Sequence, residues 1–289
     1  MDVGLVATAS TELLAKEGRL RDWLQARGSL LVGFSGGVDS TYLAAVALEA
    51  VGRESVLAVL GWSESVPVEQ RVRAEQLAES LGLSLEVVRT EETSDPRYVA
   101  NPSNRCYFCK TVLWSVLVRL ASQRGLETLV DGTNASDLGD HRPGKRAAQE
   151  WGVRSPLAEV GLTKQEIREL SRRRGLPTWS QPASPCLASR IPYGTPVTPA
   201  RLQQVEVAER AVRELGVTGD MRVRHHGDLA RVELAAGELE IWLEPARLLA
   251  LAAAVRRAGF RRVALDLAGF RSGSLNVLEG VTPPWELSS

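Results

Sequence analysis

Ser29 to Ser40 reads SLLVGFSGGVDS, and the fold follows from how this stretch is built. Ser29 to Phe34 is an apolar run of strand length, and it ends at the adjacent glycines Gly36 and Gly37. Thr41 to Val51 then has the composition of a helix. Strand, glycine turn and helix together make a phosphate cradle. Glycine lets the backbone turn tightly and approach a ligand with no Cβ in the way. The helix that follows turns unpaired N–H groups and a positive dipole end toward an anion. Ser35 and Ser40 add hydroxyls, with Val38 and Asp39 completing the loop. No Gly-Lys-Ser/Thr follows, so this is not a Walker A loop. Gly139 to Arg146 (GDHRPGKR) imitates one but ends in arginine and has no apolar strand running into it, so it is rejected.

The pattern repeats on both sides of the loop. A leading helix carries Leu13, Leu14, Leu20, Trp23 and Leu24. Apolar strands are expected at Ser55–Gly61, Leu83–Val88 and Glu127–Val130, with helices at Val68–Leu81, Thr111–Ser122 and Thr163–Arg174. Strands separated by helices of this length predict an α/β fold with a doubly wound parallel sheet, over residues 1–180. Gly175–Pro199 holds Pro177, Pro182, Pro185, Pro192 and Pro196, with Pro199 at its end. Residues 181–199 therefore read as an ordered proline-rich linker carrying Cys186. Beyond it, a helix (Pro199–Leu215), two strands (Met221–His225, Leu229–Leu234), a helix (Pro245–Ala258) and a strand (Arg262–Leu267) predict a smaller α+β domain over 200–289.

Composition narrows the function classes. Lys plus Arg number 35 and Asp plus Glu 35, so no global basic field serves nucleic acid. The N-terminus lacks a signal-peptide pattern. The longest strongly apolar run, Leu248–Val255, falls far short of the roughly 20 residues of a membrane span. Three cysteines make an odd number, which favours reduced thiols and a cytoplasmic protein.

Cys106 and Cys109 form C-x-x-C, and Cys186 lies in the proline-rich segment. Three thiolates suit three irons of a four-iron cluster with one iron left open. Zinc would need a fourth ligand, for which His141, His225 or His226 would serve without ligand spacing. A redox pair and three ordinary buried thiols are further readings. Asp131 and Thr133, in DGTNASD after the fourth strand, suit Mg²⁺ or ribose at the nucleotide crevice, or simply an Asx-rich turn. Arg222 and Arg224 alternate along one strand and share a face, which suits a phosphate or a solvated surface equally. Ser171–Arg174 (SRRR) reads as a helix end that complements its dipole.

Together, SGGVDS, NPSNRCYFCK, DGTNASD, RPGKRAAQEWGVRSPL, TKQEIREL and PCLASRIPYG resemble the LarE family of pyridinium-3,5-biscarboxylic acid mononucleotide sulfurtransferases, PP-loop enzymes of nickel-pincer cofactor biosynthesis. The resemblance runs from about Leu30 to Leu234. It implies that Ser35, Gly36, Gly37, Val38, Asp39, Ser40, Asp131 and Thr133 bind ATP with Mg²⁺. It implies that Cys186 stands at the sulfur-transfer position, that Arg222 and Arg224, with Arg190, hold the substrate phosphate, and that Glu209 and Glu233 take a divalent metal. Because Cys106 and Cys109 accompany Cys186, the chain resembles the members that carry a [4Fe–4S] cluster rather than those that sacrifice the cysteine itself. The expected partners are the pyridinium mononucleotide, sulfide or another sulfur donor, and copies of the chain in a homo-oligomer. Rival readings are an iron–sulfur tRNA thiolase, which the 5% aromatic content disfavours, and a nucleotide-binding regulator without chemistry. The sequence departs from the family pattern at Ser136, where aspartate is common, and at Gly61-Trp62-Ser63.

Overall fold

The structure is a computed structural model that describes residues 3–138, 143–182 and 184–271. It divides into two compact units, residues 1–98 with 103–184, and residues 99–102 with 185–289.

In the first unit the order is α1 (Val3–Gln25), β1 (Leu30–Gly33), α2 (Val38–Val51), β2 (Val56–Trp62), α3 (Val68–Ser80), β3 (Ser84–Arg89), α4 (Pro96–Val99, its last residue counted with the second unit), α5 (Arg105–Arg124), β4 (Thr128–Val130), α6 (Pro143–Glu150), α7 (Pro156–Glu159) and α8 (Lys164–Arg173). The four strands form one all-parallel sheet in the order β3-β2-β1-β4. Alternation along the strands builds a core on each face. Leu30, Val32, Ala58, Leu60 and Val130 pack with Leu20, Leu24, Tyr42, Val46, Ile167 and Leu170. Leu31, Val59 and Leu129 face the other way, onto Trp114, Leu117, Ala147 and Val153. This is the doubly wound arrangement expected of the sequence. The chain leaves β1 toward β2 and returns to β1's other side as β4. The strand order therefore switches between β1 and β4, and their C-terminal ends open the crevice where such sheets take ligands.

The second unit runs α9 (Pro199–Glu214), β5 (Met221–His226), β6 (Leu229–Leu234), α10 (Ala236–Trp242), α11 (Pro245–Arg257) and β7 (Arg262–Leu265). β5 and β6 are antiparallel and β7 joins β6 in parallel, in the order β5-β6-β7. Val212, Val223, Val232, Leu234, Leu251, Val255 and Phe260 form its core. Asn101, the sole non-glycine residue with positive φ among those described (φ 56), is fully buried. Its Nδ2 donates to the carbonyls of Pro192 and Thr195, both at 2.8 Å, pinning the proline-rich chain.

Most element boundaries match the sequence reading to within a few residues. The exception is α5, which begins at Arg105 rather than Thr111 and so carries Cys106 and Cys109 in its opening turns. Its first six residues lack apolar periodicity; α6 supports them instead, Tyr107 Oη donating to Glu150 at 2.6 Å while Arg146 holds the same carboxylate. No described helix is long and apolar enough to cross a membrane.

Candidate functional site

The loop after β1 is tied into a ring by its two serines. Ser40 Oγ donates to the Gly37 carbonyl (3.2 Å) and accepts from the Ser35 N–H (3.2 Å), with Ser35 Oγ 3.1 Å away. Gly37 caps α2 and supplies no side chain to its amide groups, which leaves that end shaped for an anion. The two glycines have different duties. Gly36 sits at φ 70, and a Cβ there would meet Ala74 Cβ at 2.8 Å; Gly37 has an ordinary φ of −83, and a Cβ there would meet only Ser35 Oγ at 3.4 Å. Gly36 therefore lets the loop turn against α3, while Gly37 leaves the ligand side open.

The loop after β4 packs directly on this ring. A Cβ on Gly132 would lie 2.9 Å from the Ser40 amide nitrogen, so only glycine permits the approach. Both oxygens of Asp131 are engaged within its own loop and the segment before α7. Oδ1 accepts from the Thr133 N–H (3.1 Å) and Ser155 Oγ (2.7 Å), and Oδ2 from Thr133 Oγ1 (2.8 Å). Asp131 and Thr133 thus shape the loop. Asp39 reaches across instead, accepting from Asn134 Nδ2 (3.3 Å) and forming a close ion pair with Lys164 Nζ. Lys164 opens α8, behind a capping box of Thr163 and Glu166 that fixes its position.

Cys106 is exposed and Cys109 half-buried, one turn apart at the start of α5, where the helix dipole is positive. Arg97 lies over the Phe108 ring at 5.1 Å and Lys110 over Trp114 at 4.9 Å, so cations flank the turn. No disulfide joins the two thiols. Among the described residues no group of three or more His, Cys, Asp or Glu side chains stands ready around a metal ion. His225 is buried, 3.2 Å from Gln204 and accepting from the Gly227 N–H, and His226 accepts from Arg231 at 3.4 Å. Both are engaged by protein partners, His225 by α9 and the hairpin turn and His226 by β6. His141 lies outside the described residues, as does much of the Gly139–Arg146 segment.

The second unit gathers Cys186, four arginines and two glutamates. Cys186 is half-buried and precedes a short 3-10 turn, Leu187–Arg190. Arg190 is 3% exposed and fully engaged: Nε and Nη2 grip both oxygens of Glu209 at 3.0 Å, and Nη1 donates toward the carbonyls of Pro185 (2.6 Å) and Cys186 (2.9 Å) and toward Ser189 Oγ. Arg224 bridges Glu233 (2.8 Å) and the Ser189 carbonyl (3.0 Å). Glu233, wholly buried, also pairs with Arg231 at 3.2 Å. Arg222 shares the strand face with Arg224 while Val223 points into the core. Burial, then the neighbouring charges of Arg190 and Arg224, pull the Arg222 pKa down to about 10. Glu209 and Asp220 oppose this pull, and an anion beside Arg222 would offset it further. Glu209 and Glu233, expected as metal ligands, both hold arginines, and a cation would have to displace a guanidinium from each.

Comparison with known proteins gives the family. A family model described as NAD synthase matches residues 15–98, the segment holding the loop. An uncharacterised Synechocystis protein is 43% identical over 90% of this chain and 97% of its own length. The pyridinium-3,5-bisthiocarboxylic acid mononucleotide synthase of Lactiplantibacillus plantarum is 37% identical over 94% of this chain and 96% of its own. This chain belongs to the LarE family. Membership makes it an ATP-using, sulfur-transferring enzyme with a PP-loop domain. A more distant relative, an uncharacterised protein of Methanocaldococcus jannaschii, is 26% identical over 84% of this chain and 91% of its own. Sequence reasoning missed Lys164, Asn134 and Ser155. Lys164 had a readable signal: TKQE spells a capping box, which places the lysine at the first position of a helix.

Proposed function

We propose that the chain adenylylates a carboxylate of pyridinium-3,5-biscarboxylic acid mononucleotide with ATP, releases pyrophosphate, and replaces AMP with sulfur to give a thiocarboxylate. The observation that carries this reading is one hydrogen-bonded frame in the second unit. There the loop bearing Cys186 is joined through Arg190, Glu209 and Arg224 to the strand bearing Arg222 and Arg224.

The first unit supplies the nucleotide site. The α2 amide end and the Ser35–Ser40 ring take the phosphates of Mg²⁺·ATP, and Lys164, held by Asp39, meets the charge that builds on the departing pyrophosphate. Orienting carboxylate and α-phosphorus provides most of the acceleration. In the second unit Arg222 and Arg224 hold the mononucleotide's 5′-phosphate, which relieves the cationic crowding at Arg222. The donors fit a cluster by their chemistry: three reduced thiols, two of them one helical turn apart. Held by Cys106, Cys109 and Cys186, a [4Fe–4S] cluster would supply the sulfur nucleophile and leave one iron open. The reading places the enzyme in the cytoplasm, acting on a small molecule as a homo-oligomer resupplied by sulfide or another sulfur donor.

Two variants test the assignments. Gly37→Val introduces a branched side chain with room in the fold, so it is expected to melt like the wild type yet lose ATP binding in calorimetry. Wild-type ATP affinity in that variant removes the loop assignment. Arg222→Ala is expected to weaken the mononucleotide by about one to two orders of magnitude while ATP affinity holds. Equal losses for both ligands, or none, remove the phosphate role.

A further inference from the structure

The contacts of Arg190 and Glu209 assign them a task beyond charge. Arg190, the third arginine of the expected phosphate set, has every guanidinium nitrogen engaged by protein: Glu209 on one edge, the Pro185 and Cys186 carbonyls and Ser189 Oγ on the other. Glu209 is equally committed, because Oε1 also accepts from the Val223 N–H at 3.0 Å. Among the described residues β5 is an edge strand, and this N–H, between Arg222 and Arg224, turns to Glu209. A second tie runs in parallel, from Arg224 to the Ser189 carbonyl. The Cys186 loop is thus tied to β5 at two successive residues, through Glu209 at Val223 and directly at Arg224, with the Arg190 side chain 4% exposed and that of Glu209 15%.

We propose that Arg190 and Glu209 are a positioning pair that fixes the backbone of Cys186 at a set offset from the phosphate-binding strand, so that the sulfur and the substrate's phosphate are held in register. This rests on the phosphate and sulfur-transfer roles given above. The pair touches the loop's backbone; it is a placing device, distinct from the groups that contact substrate. Arginine is required because its planar fork meets a carboxylate bidentately and still reaches carbonyls from its other edge; lysine, a single point donor, cannot do both. A misplacement of about 1 Å at a reacting centre costs on the order of a hundredfold in rate.

The test uses full-length protein carrying Arg190→Lys, Glu209→Gln, or both, with Arg222→Ala as reference. Each is measured for mononucleotide affinity by calorimetry, for thiocarboxylate formation at saturating substrate, and for deuterium uptake over residues 185–191. Arg190→Lys is expected to lower kcat about a hundredfold, to keep mononucleotide affinity within about twofold, and to speed uptake in the loop. The double variant is expected to be no worse than the poorer single one, because the two residues act as a unit. Glu209→Gln preserves shape and carries the test if Arg190→Lys fails to fold. Unchanged kcat in a folded variant, additive losses, or a loss confined to affinity overturns the proposal. If Arg222→Ala keeps full affinity, the phosphate assignment falls instead, and the kcat effect at Arg190 is still read separately.

Discussion

Cys106→Ala is expected to abolish iron binding and sustained sulfur transfer together, while pyrophosphate release in the presence of mononucleotide continues. Cys106 is exposed at the start of α5, away from both hydrophobic cores of its unit, so its loss leaves the fold intact. If the three thiols hold a cluster, removing one leaves two, too few for stable binding. Anaerobic iron analysis and the visible absorption spectrum read the cluster directly, and product analysis reads the transfer. The competing chemistry uses Cys186 alone: its own sulfur leaves with the product, and the chain becomes lighter by one H₂S as the cysteine turns to dehydroalanine. In that case Cys106→Ala still completes one stoichiometric transfer. Dehydroalanine at position 186 in wild-type protein carrying a full cluster would decide against the cluster as sulfur source.

Lys164→Met is the second large expected effect. Methionine keeps the apolar stem at the head of α8 and removes the charge that pairs with Asp39. Pyrophosphate release is expected to fall by about two to three orders of magnitude, the usual consequence of deleting one preorganised group that meets developing charge. The side chain is about a third exposed, so stability should barely change, and a thermal melt separates the two outcomes. A release rate within about twofold of wild type would make Lys164 a surface ion-pair partner and nothing more.

Legibility in the sequence followed how local each signal was. The parallel sheet is readable because its strands are short apolar runs separated by helices, whereas the strand order β3-β2-β1-β4 is visible only in the structure. The loop at Ser35–Ser40 was readable because its glycines and serines are contiguous. Its internal division of labour was not, since Gly36 is constrained by Ala74 on α3, and no local rule identifies that neighbour. The same holds for Asp39 and Lys164, on helices brought together only by the fold. The start of α5 is hidden in the sequence because its first turns are held by α6 through Glu150 rather than by an apolar stripe. Arg190 and Glu209 carried the right charges for a phosphate and a metal, and only their hydrogen bonds show that they are joined to each other.

Whether this chain activates a carboxylate by adenylylation is decided by analysis of the nucleotide products. Purified protein is incubated with Mg²⁺, ATP labelled at the α-phosphate, and pyridinium-3,5-biscarboxylic acid mononucleotide. AMP and pyrophosphate are expected in equal amounts, formed only when the mononucleotide is present and lost in Gly37→Val. Formation of ADP and inorganic phosphate, or AMP release at the same rate without the mononucleotide, would contradict adenylylation.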